Sequence, residues 1–243
     1  MGKQRILTLD IETSPAEGYF WNPWQTNIAE GQMTQQTVML TYAAKWLGDR
    51  KVIYRTGLDE DFHRTLHQLL DEADAVVSYN GDGFDFKHIM REFAERGMHR
   101  PKPFASIDLY KTVKREFKFM YNKLDYVCFK LLGKRKTSTG GFDLWPSFMA
   151  GCTSAARLMR RYNIMDTRLT EELYLYLRPW IKNHPHVSHE FVDFKDLKSD
   201  YRCPSCDSPK VVRRGHRRTR CYAIRQVQCC KCGSWQDGKR IKL

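Results

Sequence analysis

The chain has 243 residues, 42% hydrophobic and 28% charged, a balance ordinary for a globular protein and enough for one good-sized core plus a small appended module. Its formal charge of +13 is uneven: residues 200–243 hold four lysines and eight arginines against three aspartates, a net +9, which leaves +4 for everything before them. No low-complexity tract, no signal-like apolar core and no run of about 18 uncharged apolar residues is present, so the expectation is a protein without a membrane-spanning helix, in the cytoplasm or a host cytoplasm.

Residues 5–11, Arg-Ile-Leu-Thr-Leu-Asp-Ile, read as a buried strand. An aromatic-rich loop with Tyr19, Phe20, Trp21 and Trp24 follows; its rings suit either core packing or stacking against unpaired bases. Residues 38–47 and 51–56 read as two strands joined by a turn at Gly48-Asp49. Across 59–73, Phe62, Leu66, Leu69 and Leu70 fall at helical spacing, and 75–79 is a short apolar strand. Phe86, Ile89, Met90 and Phe93 mark a second helix ending at Gly97. A short strand at 103–109 and a helix at 124–132 stopped by Gly133 come next. Residues 134–141 are basic, then rich in Ser, Thr and Gly, and read as a mobile loop. A long helix is expected over 154–176. Strands alternating with helices before a long final helix give an α/β domain with a mixed sheet over residues 1–182, a polar linker over 183–199 that includes His184, His186 and His189, and a basic module over 200–243.

Three clusters carry candidate chemistry. Asp10 and Glu12 end the first strand, where positions i and i+2 share a face. Two carboxylates side by side repel unless a cation sits between them, although a solvated strand end is the plainer reading of the pair alone. Asp85 stands in the first turn of a helix after Asn80-Gly81-Asp82-Gly83-Phe84, where two glycines allow close backbone approach and the helix dipole alone would favour a carboxylate. Tyr162 and Asp166 share a helix face at i and i+4. Together they supply four carboxylates and a phenol from three elements, a set suited to two hard divalent cations about 4 Å apart and a phosphodiester displacement.

The order and spacing of these clusters resemble the DnaQ-like, or DEDD, 3′→5′ exonucleases on the RNase H-like fold. The tyrosine (DEDDy) subgroup, which includes the proofreading domains of family B DNA polymerases, is the most similar. Leu9-Asp10-Ile11-Glu12-Thr13 looks like the first family motif; Tyr79-Asn80 followed after three residues by Phe84-Asp85 looks like the second; Tyr162 and Asp166 look like the third. Residues 121–127 and 131–133 are similar to the segment before that third motif, and the resemblance covers about residues 5–178. It implies Asp10, Glu12, Asp85 and Asp166 as ligands of two Mg²⁺ or Mn²⁺ ions, Tyr162 beside the attacking water, and Thr13, Asn80 and Phe84 as contacts to the terminal nucleotides. Nucleoside monophosphates would be the product. The expectation is a domain with no polymerase in cis, and the aromatic stretch 19–36 has no counterpart in that resemblance.

In the basic module, Cys203 and Cys206, then Cys229 and Cys232, form two pairs with the same two-residue spacer, the pattern of a closed structural Zn²⁺ site. Cys221, Cys230 and His216 are alternative ligands by position. The stretches 211–218 and 223–228 read as a hairpin bearing Arg213, Arg214, Arg217 and Arg218, with Arg220 beside it, a patch suited to nucleic-acid phosphates. Cys128 and Cys152 read as buried apolar fillers. The expected partner is nucleic acid, DNA foremost. RNA, a branched strand, or binding without catalysis are the other readings of the same residues.

Overall fold

The computed structural model describes residues 5–181, 184, 201–218 and 222–242. In chain order the elements are β1 (Ile6–Thr13), β2 (Glu17–Gly18), β3 (Met33–Gln35), β4 (Met39–Trp46), β5 (Ile53–Thr56), α1 (Phe62–Glu72), β6 (Ala75–Ser78), α2 (Asp85–Glu95), β7 (Ala105–Asp108), α3 (Leu109–Glu116), α4 (Leu124–Leu132), α5 (Leu144–Met149), α6 (Thr153–Leu177), β8 (Val211–Arg218), β9 (Tyr222–Cys229) and β10 (Trp235–Lys242).

The first domain is a mixed sheet in the order β5-β4-β1-β6-β7, with β5, β4 and β1 antiparallel and β1, β6 and β7 parallel. β1 is central, so both its faces are covered and Ile6, Leu7, Thr8 and Leu9 are all buried. Its alternation sorts them: Leu7, Leu9 and Ile11 join α1 and α2 in one core, while Ile6 joins the opposite core with α3, α4 and the C-terminal half of α6. Asp10 and Glu12 share the pleat of Ile6 and therefore face the α6 side of the sheet.

Helix α6 is fixed across the sheet by polar contacts that burial makes demanding. Lys45 on β4 donates to both oxygens of Glu171, at 2.7 and 2.5 Å, with both side chains nearly inaccessible. One turn earlier, Thr167 donates to the Ala43 carbonyl at 3.2 Å. These ties set the azimuth of the helix that carries Tyr162 and Asp166.

Several expectations are corrected. The region 103–109 splits into β7 and the start of α3, because Asp108 caps a new helix by accepting from the Tyr110 amide at 3.0 Å. Helix α5, too short for a legible period, was not expected, nor was the small β2–β3 ladder. Cys152 is exposed at the start of α6 rather than buried, while Cys128 is buried as expected. Of the expected linker, only His184 lies within the described residues. It is buried, shares a 2.7 Å hydrogen bond with the Tyr174 hydroxyl and stacks on that ring, so it belongs to the packing of the first domain; His186 and His189 lie outside the described residues.

The C-terminal module is a three-stranded antiparallel sheet, β10-β9-β8, one strand more than the expected hairpin. β10 escapes periodicity because Trp235-Gln-Asp-Gly-Lys-Arg is almost wholly polar. Four cysteines sit where the turns of this zinc-ribbon-type module meet.

Candidate active site

The pleat of β1 and the pitch of α6 bring Asp10, Glu12 and Asp166 together, each with a carboxylate oxygen within 4.8 Å of the others. Asp85, in the first turn of α2, stands beside them and accepts the backbone N–H of Ile11 at 3.2 Å, between the two β1 carboxylates. Asp85 lies outside the tight group of three but contributes to its field. Tyr162, one turn before Asp166 on α6, is half-buried against Trp145 of α5.

Concentrating this much negative charge is unfavourable in the bare protein, and the protonation equilibria record it. Burial, then the charges of Glu12, Asp166 and Asp85, holds the Asp10 carboxyl well above the usual carboxylate range. Burial raises Glu12 to about 7, with Asp166 adding to the shift and Lys136 opposing it. Burial likewise raises Asp85 to about 7 against the N–H bonds it accepts. Asp166 is raised by burial despite the nearby Lys136 cation. Burial and the Asp166 charge push the Tyr162 phenol up, so it stays protonated at neutral pH and acts as a donor.

Both oxygens of Asp166 are buried; the Lys136 ammonium stands 2.5 Å from Oδ2, and Oδ1 has no well-formed hydrogen bond. A buried carboxylate normally fills its acceptor positions, so this set of oxygen donors fits hard divalent cations. A pH dependence follows. Between the ordinary carboxylate values near 4 and about 7, the folded protein holds more protons than the unfolded chain, so these groups make stability fall as pH rises through that window. A cation that neutralises them offsets this loss, and binds better once the protons have left. The stabilisation by Mn²⁺ should therefore grow between about pH 5 and about pH 8, by roughly 1–3 kcal/mol for each carboxylate freed, read as a growing rise in melting temperature. A gain that shrinks over that range would contradict the site.

Three further residues complete the arrangement, and none was expected from sequence. Lys136 places its ammonium 2.5 Å from Asp166 Oδ2 and 4.7 Å from the centre of the Tyr162 ring. It comes from the stretch expected to be mobile, but Asp125 pins that stretch by accepting from the Lys136 amide at 2.9 Å and from Arg135 at 2.5 Å. Asn163 is fully buried, accepts from Thr41 at 3.0 Å and donates to Asp10 Oδ2 at 2.6 Å, so one side chain joins β4, α6 and the first carboxylate. Trp145 stands beside Glu12, opposing the rise of its pKa, and lies edge-on to Tyr162. The detectable signal for Asn163 is its place on one helix face with Asp166, Thr167, Thr170 and Glu171, a polar stripe on a helix long enough to be packed.

Of the expected terminal-nucleotide residues, Thr13 directly follows Glu12 and Phe84 directly precedes Asp85 in the chain, and Asn80 is in the loop before α2. Thr13 pairs with Met39 just after a bulge in β1. Asn80 is exposed, with φ of 66°, and its N–H donates to Asp108 at 2.9 Å. Phe84 is exposed and packs obliquely on His88. The two glycines of the same loop serve the loop itself: a Cβ on Gly81 would stand 2.1 Å from Ser78 Oγ, and one on Gly83 2.8 Å from Asn80 Oδ1.

In the ribbon, Cys203, Cys206, Cys229 and Cys232 gather their sulfurs within 4.8 Å of one another. The two knuckles repeat one geometry. The first cysteine of each pair donates its N–H to a serine carbonyl five residues on, Cys203 to Ser208 at 2.8 Å and Cys229 to Ser234 at 2.9 Å. The residue after the second cysteine has positive φ, Asp207 at 56° and Gly233 at 72°. Sulfur pairs 203–232 and 206–229 stand 3.6 Å apart, near the roughly 3.8 Å edge of a tetrahedron with 2.3 Å metal–sulfur bonds. Cys230 is exposed and outside the group, Cys221 lies outside the described residues, and His216 is described only by its backbone in β8. Arg213 and Arg214 are exposed on β8; Arg217 and Arg218 are on the same strand, and Arg220 lies outside the described residues.

A protein-family model described as the RNase H superfamily matches residues 7–178. Among solved structures, the family B DNA polymerase from the hyperthermophilic archaeon Pyrobaculum calidifontis is similar, with a TM-score of 0.53 and 22% sequence identity. The alignment covers 73% of this chain and 25% of that one, so the chain spans about a quarter of the polymerase, and the likeness is one of fold. No curated protein matches the sequence. Among the described residues no helix is long and apolar enough to cross a membrane.

Proposed function

The chain belongs to the RNase H superfamily, and from that premise we propose that it is a metal-dependent 3′→5′ exonuclease that removes nucleoside monophosphates from DNA 3′ ends. The observation that supports this reading is the meeting of the Asp10, Glu12 and Asp166 carboxylates within 4.8 Å of one another, with Asp85 and Tyr162 alongside. A domain that only bound nucleic acid would gain nothing from gathering carboxylates that repel one another and the phosphates they approach.

Two Mg²⁺ or Mn²⁺ ions held by Asp10, Glu12, Asp85 and Asp166 would supply charge stabilisation for the attacking and leaving oxygens of the phosphodiester. Asn163 holds Asp10 in one rotamer by its 2.6 Å hydrogen bond. The protonated phenol of Tyr162 donates to and orients the attacking water. Lys136 brings a fixed positive charge against Asp166 and the Tyr162 ring, so an arriving phosphate meets a cation that a bare carboxylate cluster would lack. Thr13, Asn80 and Phe84 line the approach for the terminal nucleotides.

The division into an exonuclease domain over 1–182, a linker over 183–199 and a ribbon over 200–243 belongs to the same proposal. One structural Zn²⁺ on the four ribbon cysteines would hold a module whose arginines grip the phosphate backbone. The test is product identity. Single-stranded DNA incubated with the chain and Mn²⁺ should yield nucleoside 5′-monophosphates by chromatography. Products that are exclusively longer oligonucleotides would overturn exonucleolysis.

A further inference from the structure

The segment between β1 and β4 forms a tongue with no role in the site described above. Its neck is tied at the active-site end of β1, where the buried Ser14 donates its N–H to the Val38 carbonyl at 2.8 Å and its Oγ accepts the Val38 N–H at 3.0 Å. The β2–β3 ladder continues from this neck, pairing Glu17 with Gln35 and Gly18 with Met33. Beyond the ladder, two glutamines build the tip from inside. Gln32 donates to the Tyr19 carbonyl at 2.9 Å, and Gln25 donates to Gln32 at 2.9 Å while accepting the Trp21 N–H at 3.2 Å. The backbone is thus held by hydrogen bonds and not by its aromatic side chains.

Those side chains are left outside. Tyr19 is 78% exposed, Phe20 50%, Trp21 92% and Trp24 86%. The packing reading of these rings therefore fails. Large rings on an ordered scaffold are costly to leave in water, and such patches mark contact surfaces. No Lys, Arg, Asp or Glu occurs from Gly18 to Ala29, so the tip offers flat apolar faces and amides, with no charge to pair with a phosphate or an anionic membrane. What this chemistry fits is the face of a nucleobase. Tyr19 is six positions after Thr13, at most about 20 Å of extended chain, or about six stacked nucleotides at 3.4 Å each. The tip therefore stands no farther from the carboxylate end of β1 than the span of a few nucleotides upstream of a 3′ end held there.

We propose that this tongue is a base-stacking clamp for unpaired nucleotides upstream of the 3′ end, with Trp21 and Trp24 as its principal faces. It rests on the nuclease reading of the neighbouring site and adds a substrate class: single-stranded ends, or duplex ends that have frayed over a few nucleotides. Stacking accepts every base, so the clamp contributes affinity without sequence preference.

The experiment is a binding cycle on the full chain carrying Asp10→Ala, which preserves the oligonucleotide. An oligothymidylate and the same strand with abasic sites over about six positions upstream of the 3′ end are titrated against this chain and against versions with Trp21→Ala or Trp24→Ala. On the intact strand each tryptophan change should weaken binding about tenfold or more, and binding should quench tryptophan fluorescence. On the abasic strand the same changes should cost less than about twofold, because the stacking partner is already gone. Equal losses on both strands, or none on either, would overturn the clamp. So would a tongue whose fluorescence ignores the oligonucleotide but shifts to the blue with phosphatidylcholine vesicles. Because the cycle reads binding alone, it is separate from the nuclease reading, whose failure is an unmutated chain that hydrolyses no strand.

Discussion

Asp166→Asn should lower the hydrolysis rate at least about a thousandfold, some 4 kcal/mol of transition-state stabilisation, while leaving the fold intact. The substitution keeps the shape of a side chain that is 1% exposed and changes only its charge. It removes one of three carboxylates whose oxygens share a 4.8 Å neighbourhood, and with it the group best placed to bridge α6 to β1 through a cation. Stability should hold or rise slightly. The substitution relieves repulsion on Asp10 and Glu12, and Lys136 still has those carboxylates within its field. The paired measurements are the rate at saturating Mn²⁺ and the melting temperature without it. A variant that unfolds would mean that Asp166 is a structural ion-pair partner of Lys136. A variant that keeps its rate would remove Asp166 from the chemistry.

Loss of the ribbon metal should have a comparably large effect on a different part of the chain. Among the described residues of the module, the buried apolar side chains are Ile224 and Val227 beside Cys203 and Cys229, too few to stabilise some forty residues without help. Tetrathiolate sites contribute about 10–16 kcal/mol, so a metal held by the four cysteines would decide whether the module folds. Cys203→Ser should release the bound metal, expose β8, β9 and β10 to protease, and leave the unfolding of the first domain where it was. Nucleic-acid affinity should fall, and its dependence on salt should become shallower, because the arginines of β8 no longer present an ordered face. Protease resistance that survives in a metal-free Cys203→Ser chain would show that the sheet folds on its own hydrogen bonds. An unchanged salt dependence would show that the ribbon does not meet phosphate.

The parts of this architecture that depend on local periodicity were legible in the sequence. The alternation of β1 put Asp10 and Glu12 on one face, and helical spacing put Tyr162 above Asp166. The repeated cysteine spacer likewise singled out Cys203, Cys206, Cys229 and Cys232, whose sulfurs gather because the turn after each pair has the same form. Contacts that depend on tertiary placement were not legible. Lys136 sits in a stretch whose composition reads as mobile, and its position is set by Asp125, eleven residues earlier, through a hydrogen bond that no period reveals. Helix α5 has six residues and one fully buried side chain, yet it brings Trp145 to Glu12 and Tyr162. Asn163 looked like a spacer inside a motif until burial showed both ends of its amide engaged. The tongue misled in the opposite direction. Its aromatics suggested packing, because sequence alone does not show that Gln25 and Gln32 already hold the backbone.

The account turns on hydrolysis that begins at a free 3′ end and requires the carboxylate cluster. The most direct measurement is a time course on a 5′-labelled single-stranded DNA with Mn²⁺, run beside the same strand blocked at its 3′ terminus and beside the Asp166→Asn chain. A ladder that shortens one nucleotide at a time, absent from the blocked strand and from the variant, is the predicted result. Internal cuts on the blocked strand, or a ladder undiminished in the variant, would contradict it.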